Sequence, residues 1–294
     1  MDSCLEKIIT RGDKTIRFRF WNQDCVEGMA SRLDAGCADV VVTSPPYNIG
    51  VKYRSYDDTA SRREYLEWTR KWLEEVKRIL AAEGSFFLNV GGMPSDPWVP
   101  FEVLSVAREF FALQNVIHWA KSIAIDRDDM GNYPGRSGDL VVGHYKPVQS
   151  LRYLNDCHEY IFHLTSNGDT PLDRTAIGVP YQDKSNVKRW KAAGKDRHCR
   201  GNVWFIPYET IQSRNKERPH PATFPVRLPS MCVLLHGLER TRLVVDPFLG
   251  LGSTAVACAK LDIPFVGFEI DEEYISLAFE RLKESTGDSP LFNM

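Results

Sequence analysis

The 294-residue chain has no long hydrophobic run, and no window approaches the roughly 18 consecutive apolar residues of a membrane-spanning helix. Residues 1–13 are charged and lack the apolar stretch of a secretory signal, so we expect no export. The seven cysteines include no C-x-x-C pair, which argues against a zinc ribbon or a redox pair. These absences predict a protein of the reducing cytoplasm without disulfides, bound metal or membrane contact.

Charge is almost balanced over the chain but is unevenly distributed. The formal net charge is −2, yet residues 184–218 hold ten Lys and Arg against three acidic residues. A basic segment in an otherwise acidic chain suits a protein that meets a polyanion along one face. A solvated loop without a partner is the alternative interpretation, and the segment alone does not decide between them.

Strand and helix patterns alternate along most of the chain. Continuous apolar runs at 38–43 (ADVVVT), 85–90 (SFFLNV) and 242–246 (RLVVD) are typical of parallel strands that are covered on both faces. Residues 62–80 between the first two runs have the apolar spacing of an amphipathic helix. The chain is therefore predicted to have an α/β fold with a mostly parallel sheet and crossover helices.

Two long segments, 122–157 and 166–219, interrupt this alternation. They are polar, rich in Gly and Pro, and show little periodicity. Irregular segments of this length inside a compact domain are usually functional.

A glycine-rich loop follows the apolar run that ends at Asp246. In the stretch DPFLGLGSTA (246–255), Gly250 and Gly252 stand between a predicted strand and a helix, where glycine lets the backbone approach a ligand closely. Glu269 ends the next predicted strand, and a carboxylate there can accept both hydroxyls of a ribose. The spacing fits NAD or S-adenosylmethionine equally well. Only 25 residues follow Glu269, so earlier strands must complete the sheet, and this permuted order argues against NAD.

A second turn, Ser44-Pro45-Pro46-Tyr47, follows the apolar run 38–43. Two prolines stiffen the turn and remove two backbone donors, which leaves the Ser44 hydroxyl and the Pro45 carbonyl as acceptors for an NH2 group. Tyr47 offers a flat ring on which an extruded base can stack. Ligands of open α/β sheets bind beyond the carboxyl ends of the strands, so we expect residues 44–47 and 248–253 to lie side by side.

These motifs resemble those of the β-class DNA amino-methyltransferases. TSPPYN (43–48) is similar to the catalytic motif of that class, and DPFLGLGSTAVA (246–257) is similar to its methyl-donor loop. HPATFP (220–225) resembles the element that closes over the donor, and NQDC (22–25) resembles a short donor-binding turn. The matches extend over about residues 15–285 in the permuted order of the class.

The resemblance implies a Rossmann-like methyltransferase sheet, mostly parallel with an antiparallel edge strand. Residues 1–121 would form the catalytic half, 122–219 the inserted target-recognition region and 220–294 the donor-binding half. It also implies direct transfer from S-adenosylmethionine to a base flipped out of duplex DNA, without a metal and with a cognate restriction endonuclease as a possible partner. Cytosine-C5 enzymes use a cysteine after proline, and the chain contains no Pro-Cys pair.

Three sets of residues are assigned to the site on these grounds. The catalytic set is Ser44, Pro45, Pro46 and Tyr47. The donor-binding set is Asp24, Cys25, His220, Phe224, Asp246, Phe248, Gly250, Gly252, Ser253 and Glu269. The nucleic-acid set is Tyr133, Arg136, Lys146, Lys188, Arg189, Lys191, Arg197 and Arg200. Asp24 as a helix cap and His220 as a capping or packing residue are the alternatives.

Ser at position 44, rather than Asp, resembles the N4-cytosine members more than the N6-adenine members. We therefore expect methylation of cytosine N4, with adenine N6 as the alternative. Methylation of RNA or of a protein amide, and a catalytically inactive DNA-binding module, are further alternatives.

Overall fold

The computed structural model describes residues 3–131, 138–143, 148–184, 187, 196–208 and 223–287. The strands in that part of the chain are β1 (Ser3–Arg11), β2 (Lys14–Asn22), β3 (Ala38–Thr43), β4 (Leu80–Val90), β5 (Ala112–Ala120), β6 (Ser122–Ile125), β7 (Leu140–Gly143), β8 (His158–Thr165), β9 (Val203–Phe205), β10 (Val244–Asp246) and β11 (Phe265–Glu269). The α-helices are α1 (Cys25–Arg32), α2 (Arg62–Ile79), α3 (Val99–Ala107), α4 (Arg227–His236), α5 (Ser253–Leu261) and α6 (Glu272–Ser285).

Nine of these strands form one sheet in the order β1-β2-β11-β10-β3-β4-β8-β5-β9. The block from β2 to β4 is parallel, whereas β1 pairs antiparallel with β2 at one edge. This confirms the predicted Rossmann-like, mostly parallel sheet with an antiparallel edge strand. A second antiparallel strand, β8, lies inside the sheet between β4 and β5.

The sheet is covered on both faces, and this explains the continuous apolar runs. Along β3, Val41 points into a core cluster with α1, α2 and α3, whereas Val40 and Val42 point into a second cluster with α4, α5 and α6. Successive side chains of a strand alternate between faces, so a strand buried on both sides carries consecutive apolar residues, as Val40, Val41 and Val42 do. α2 adds the fully buried Trp72 to the first cluster and begins at a Ser61–Glu64 capping box.

The register of the central strands places the two predicted turns together. β10 runs parallel to β3, with Val244 opposite Val40 and Val245 opposite Val41. Both strands therefore end at the same edge of the sheet, and the residues after Thr43 and after Asp246 leave adjacent strands. The predicted proximity of the two turns is confirmed.

The segments that were predicted to be irregular contain some regular structure. Within 122–157, β6 and β7 pair as a separate antiparallel hairpin, and within 166–219, β9 pairs with β5 at the far edge of the sheet. Strands from all three predicted regions join one sheet, and the boundaries between those regions stay a prediction. In the described ranges, no helix combines the length and apolar character needed to cross a bilayer.

Candidate active site

The turn after β3 is held from both sides. Tyr65 on α2 donates a hydrogen bond to the Pro46 carbonyl at 2.9 Å, and the Ser44 Oγ lies 2.7 Å from the Tyr47 hydroxyl. Pro45 is buried, and Tyr47 is half-buried and packs against the first core cluster. The carbonyl of Pro46 is thus engaged by the protein itself, and the turn is anchored at its second proline.

A buried carboxylate, Asp58, organises the loop that follows. It accepts hydrogen bonds from the backbone N–H groups of Asn48, Ile49 and Val51 at 2.8, 3.0 and 3.0 Å. Asn48 adopts a left-handed backbone with φ +56°, and its side chain donates to the Ala60 carbonyl at 2.9 Å. Sequence reasoning missed Asp58 because an aspartate in a polar loop carries no distinctive pattern.

Asp246 joins the two turns. Its carboxylate is buried and accepts from the Thr43 and Thr254 hydroxyls, both at 2.6 Å, and from the Phe248 N–H at 3.1 Å. Burial raises the pKa of this carboxyl to about 7, although the hydrogen bonds from Thr254, Thr43 and Phe248 favour its charged form. The end of β3, the loop after β10 and the start of α5 are thereby fixed to one side chain.

A polar cluster lies behind Tyr47, and sequence reasoning did not predict it. The Tyr47 hydroxyl donates to Glu159 Oε2 at 3.0 Å and accepts from Asn89 Nδ2 at 2.7 Å. Asn89 Nδ2 also donates to Glu159 Oε2 at 2.6 Å, and Lys121 forms an ion pair with Glu159 Oε1. Three strands supply these groups, since Asn89 lies on β4, Lys121 follows β5 and Glu159 lies on β8. Polar residues of these types are common at strand ends, so the sequence alone does not indicate that the three meet. The order of the strands in the sheet brings them together.

Opposing effects set the charges in this cluster. Burial alone would raise the pKa of Glu159, but the charge of Lys121 and the hydrogen bonds from Lys121, Asn89 and Tyr47 outweigh it and lower the pKa. Burial is the largest single influence on Lys121 and lowers its pKa, but attraction to Glu159, Tyr208 and Asp156 and the hydrogen bond to Glu159 together outweigh burial and raise the pKa. Burial and the Glu159 charge raise the pKa of Tyr47 well above its usual value. Near neutral pH the cluster therefore holds a carboxylate, an ammonium group and a neutral phenol.

The loop after β10 has the backbone that its glycines predict. Gly250 and Gly252 adopt φ of +51° and +71°, and Gly252 is the N-cap of α5. A Cβ on Gly252 would lie 3.1 Å from the Cβ of Ala278. Glu269 accepts from the N–H groups of Gly250 and Asp271 at 2.9 and 3.0 Å. A carboxylate has about four lone-pair positions, so two remain to accept from other donors, and the contact of Glu269 with ribose hydroxyls stays a prediction.

The other predicted donor-binding residues surround this edge of the sheet in several roles. Asp24 caps α1 by accepting from the N–H groups of Val26 and Glu27, which agrees with the alternative interpretation of that residue. Cys25 is buried, and Phe248 packs against Trp68 and Trp72. Ser253 accepts from Arg281 at 3.1 Å, and Phe224 packs against the second core cluster. Their contacts with a donor stay predictions.

Most of the predicted nucleic-acid residues lie outside the described residues, as does His220. Of the set, Arg197 and Arg200 are described, and each donates to a backbone carbonyl of one turn, Gly178 at 2.6 Å and Ile177 at 2.7 Å. The residues outside are Tyr133, Arg136, Lys146, Lys188, Arg189 and Lys191. Contact with nucleic acid stays a prediction for the whole set.

Comparison with known proteins identifies relatives of the chain. A family model described as N6/N4 methyltransferase, DNA methylase, matches residues 38–280. The type II methyltransferase M.ScaI of Streptomyces caespitosus is 30% identical over 253 residues, which cover 83% of this chain and 75% of that protein.

Solved structures share the fold at lower sequence identity. The PvuII DNA methyltransferase (cytosine-N4-specific) superimposes with a TM-score of 0.61 at 18% identity and covers 92% of this chain and 91% of its own. TTHA0409, a putative DNA modification methylase of Thermus thermophilus in complex with S-adenosyl-L-methionine, gives 0.55 at 21% identity, covering 90% of this chain and 92% of its own.

Proposed function

We propose that this chain, which belongs to the N6/N4 family of DNA methylases, methylates N4 of cytosine in duplex DNA. One observation carries the proposal: the Ser44–Tyr47 turn and the glycine loop leave adjacent parallel strands and are bridged by Thr43 and Asp246. A base held at the first turn and a donor held at the second therefore lie next to each other.

S-adenosylmethionine is the methyl donor, and its sulfonium supplies a methyl group that is already strongly electrophilic. We assign Glu269 to binding the ribose of the donor. We assign Gly250 and Gly252 to the stretch of loop backbone along which the donor lies. Asp246 faces Thr43, Thr254 and Phe248, so we assign it to shaping this loop. The described residues contain no group of three or more His, Cys, Asp or Glu side chains that could hold a metal ion, and the expectation of metal-free transfer stays a prediction.

The target amine is a weak nucleophile because its lone pair is delocalised into the base. Ser44 Oγ and the Pro45 carbonyl would accept its two hydrogens and orient the nitrogen, while the Tyr47 ring stacks on the base. The bond from Tyr65 to the Pro46 carbonyl and the anchoring of the next loop by Asp58 keep this turn rigid before the base arrives. Preorganisation of this kind supplies much of the rate enhancement in a direct transfer.

The preference for cytosine rests on Ser44, because serine at this position resembles the N4-cytosine members. Duplex DNA must release the base from its stack to reach Tyr47. The basic segment 184–218 is our candidate for phosphate contacts, and 131–152 is the second candidate. A partner restriction endonuclease and a cytoplasmic location remain expectations.

The test is product analysis on methyl-free DNA. The purified chain is incubated with methyl-labelled S-adenosylmethionine and PCR-amplified genomic DNA, and the digested nucleosides are identified by mass spectrometry. N4-methyldeoxycytidine is the expected product, and Ser44→Ala should reduce it strongly while Ser105→Ala, at an exposed hydroxyl on α3, leaves it unchanged. N6-methyldeoxyadenosine would contradict the cytosine assignment. Label that enters only RNA or a glutamine peptide would contradict DNA as substrate.

A further inference from the structure

The Tyr47 hydroxyl has one hydrogen, and its neighbours determine where that hydrogen points. Glu159 is ionised and can only accept, and Asn89 Nδ2 can only donate. Tyr47 therefore donates to Glu159 and accepts from Asn89. The backbone carbonyl of Asn89 is a second acceptor for Tyr47, but it is neutral and more distant, at 3.3 Å.

This arrangement also fixes the hydrogen of Ser44. Ser44 Oγ lies 2.7 Å from the Tyr47 oxygen, and either atom is able to donate on distance alone. Because the hydrogen of Tyr47 is directed to Glu159, Ser44 must donate to Tyr47. The Ser44 oxygen then presents only lone pairs to any other partner, which is the state needed to accept a hydrogen from an amino group.

Resting on the proposed function, we infer that Ser44, Tyr47 and Glu159 form a proton relay from the target amine to the Glu159 carboxylate. Lys121 is a positioning residue for this relay, since it touches Glu159 but neither of the hydroxyls that lead to it. The relay runs across the sheet from the end of β3 to the start of β8.

Atoms and charges balance over the methyl transfer and the proton relay. The base nitrogen gains its bond to the methyl carbon as the bond from that carbon to the sulfonium breaks, and the nitrogen then carries a surplus proton. Ser44 Oγ takes this proton and passes its own to Tyr47, and Tyr47 passes its own to Glu159 Oε2. Both hydroxyls end neutral and Glu159 ends as a carboxylic acid. Its side chain is 14% exposed, so it can return the proton to water.

The space around the relay is matched to these side chains. A Cβ on Gly91 would lie 2.8 Å from Glu159 Cγ and 3.2 Å from Tyr47 Cε2. Such contacts are closer than van der Waals packing allows, so any larger residue would displace the last two members of the relay. The glycine directly after β4 thus leaves room for Glu159 to lie against Tyr47.

Lys121 keeps the final acceptor ionised in a buried site. Without the ammonium group, burial would be the largest remaining influence, opposed only by the hydrogen bonds from Asn89 and Tyr47, so the pKa of Glu159 should rise. The other titratable groups that act on Glu159 or its partner lie on several elements: Tyr47, Tyr53, Asp156, His158 and Tyr208.

Lys121→Gln gives the most specific test. Any titration of Asp246 affects the wild type and the variant alike, so the informative quantity is the ratio of their single-turnover rates. The rate of Lys121→Gln relative to the wild type should fall by about tenfold from about pH 8 to about pH 5.5. The control is Lys77→Gln, because Lys77 is also half-buried over an aromatic ring but bonds to Ser166. Its profile should match the wild type.

A second readout needs no turnover. In protein labelled with 13C at glutamate carboxyls, the Glu159 signal is identified by its loss in Glu159→Gln. Its pKa should lie below the usual glutamate value in the wild type and should be higher in Lys121→Gln than in the wild type. Glu159→Gln and Tyr47→Phe should each lower the single-turnover rate on the order of 100-fold at all pH values, with donor affinity by calorimetry within about twofold.

The outcomes separate the two proposals. If the wild type methylates a base amine but Glu159→Gln and Tyr47→Phe retain its rate within about threefold, the relay is wrong and the proposed function stands. The relay is equally wrong if the pKa of Glu159 rises in Lys121→Gln and the rate relative to the wild type stays constant with pH. If the wild type methylates no amino group, the proposed function fails and the relay falls with it.

Discussion

Replacing Thr43 by valine removes the hydroxyl that joins β3 to Asp246 and changes little else. Valine has nearly the same shape as threonine, and Thr43 is fully buried, so no large cavity is expected. The change deprives a buried carboxylate of a donor at 2.6 Å. Hydrogen bonds to charged groups contribute about 1.5–3 kcal/mol, and we expect Thr43→Val to lower the free energy of unfolding by that amount.

The size of this effect should depend on pH. The pKa of Asp246 is raised to about 7 by burial, so the carboxylate is charged at about pH 8.5 and largely neutral at about pH 5.5. A neutral carboxyl group needs the Thr43 donor less, because it can donate a hydrogen itself. The destabilisation should therefore be larger at the higher pH.

Urea denaturation at both pH values measures the effect, and Thr241→Val is the matched control. Thr241 is also buried, but its hydroxyl donates to the neutral Gly237 carbonyl at 2.9 Å, so it should cost about 0.5–1.5 kcal/mol at either pH. Donor binding by calorimetry should weaken in Thr43→Val, by at most about 150-fold if the whole loss is felt at the loop. Equal costs for both variants, independent of pH and with unchanged donor affinity, would refute the assigned link between the turns.

Two further predictions concern acid stability and the glycine loop. Burial lowers the pKa of His163 to about 3 and of His236 to about 4, so the unfolded chain takes up protons first as the pH falls below 6.5, and stability is lost with acid. Asp246 opposes this loss because its folded pKa is raised, so the free energy of unfolding should fall by about 1.4 kcal/mol per pH unit between about pH 6 and 5 in urea titrations. Asp246→Asn should steepen this slope to about 2.8 kcal/mol per pH unit, and an unchanged slope would contradict the assignment. Gly252→Ala places a side chain on a left-handed backbone at φ +71° and in close contact with Ala278. It should cost about 1–2 kcal/mol in thermal unfolding and weaken donor binding. The control Gly36→Ala, at an exposed position with open space around it, should leave donor binding unchanged.

The sequence was sufficient to predict the two turns and their proximity. Runs such as 38–43 identify strands buried on both faces, and the carboxyl ends of parallel strands meet at one edge of a sheet. The α2 prediction of 62–80 agrees with Arg62–Ile79, because the apolar spacing extends over the whole helix. Local patterns and general rules of sheet construction were enough for this part.

The polar cluster behind Tyr47 required the sheet order. Glu159 reaches Tyr47 because β8 inserts antiparallel beside β4, and the pattern at 158–165 carries no information about strand direction or neighbours. The β6–β7 hairpin was missed for a different reason: its short strands leave residues such as Val141 exposed, so they lack the pattern of a covered strand. The periodicity of apolar residues does not predict contacts between distant segments, and it does not predict elements that are only weakly buried.

The reversed direction of β8 determines where the segment between β5 and β8 leaves and re-enters the sheet. β5 ends and β8 begins at the edge that carries the Ser44–Tyr47 turn, so the excursion between Lys121 and Glu159 departs from and returns to the place where we propose that the base is held. Its two ends are fastened together by the ion pair of those residues and by a bond from the Lys121 N–H to the Cys157 carbonyl at 2.7 Å. Under the proposed role of residues 122–219 in target recognition, substitutions within the excursion would change the surface offered to DNA and leave this fastening in place.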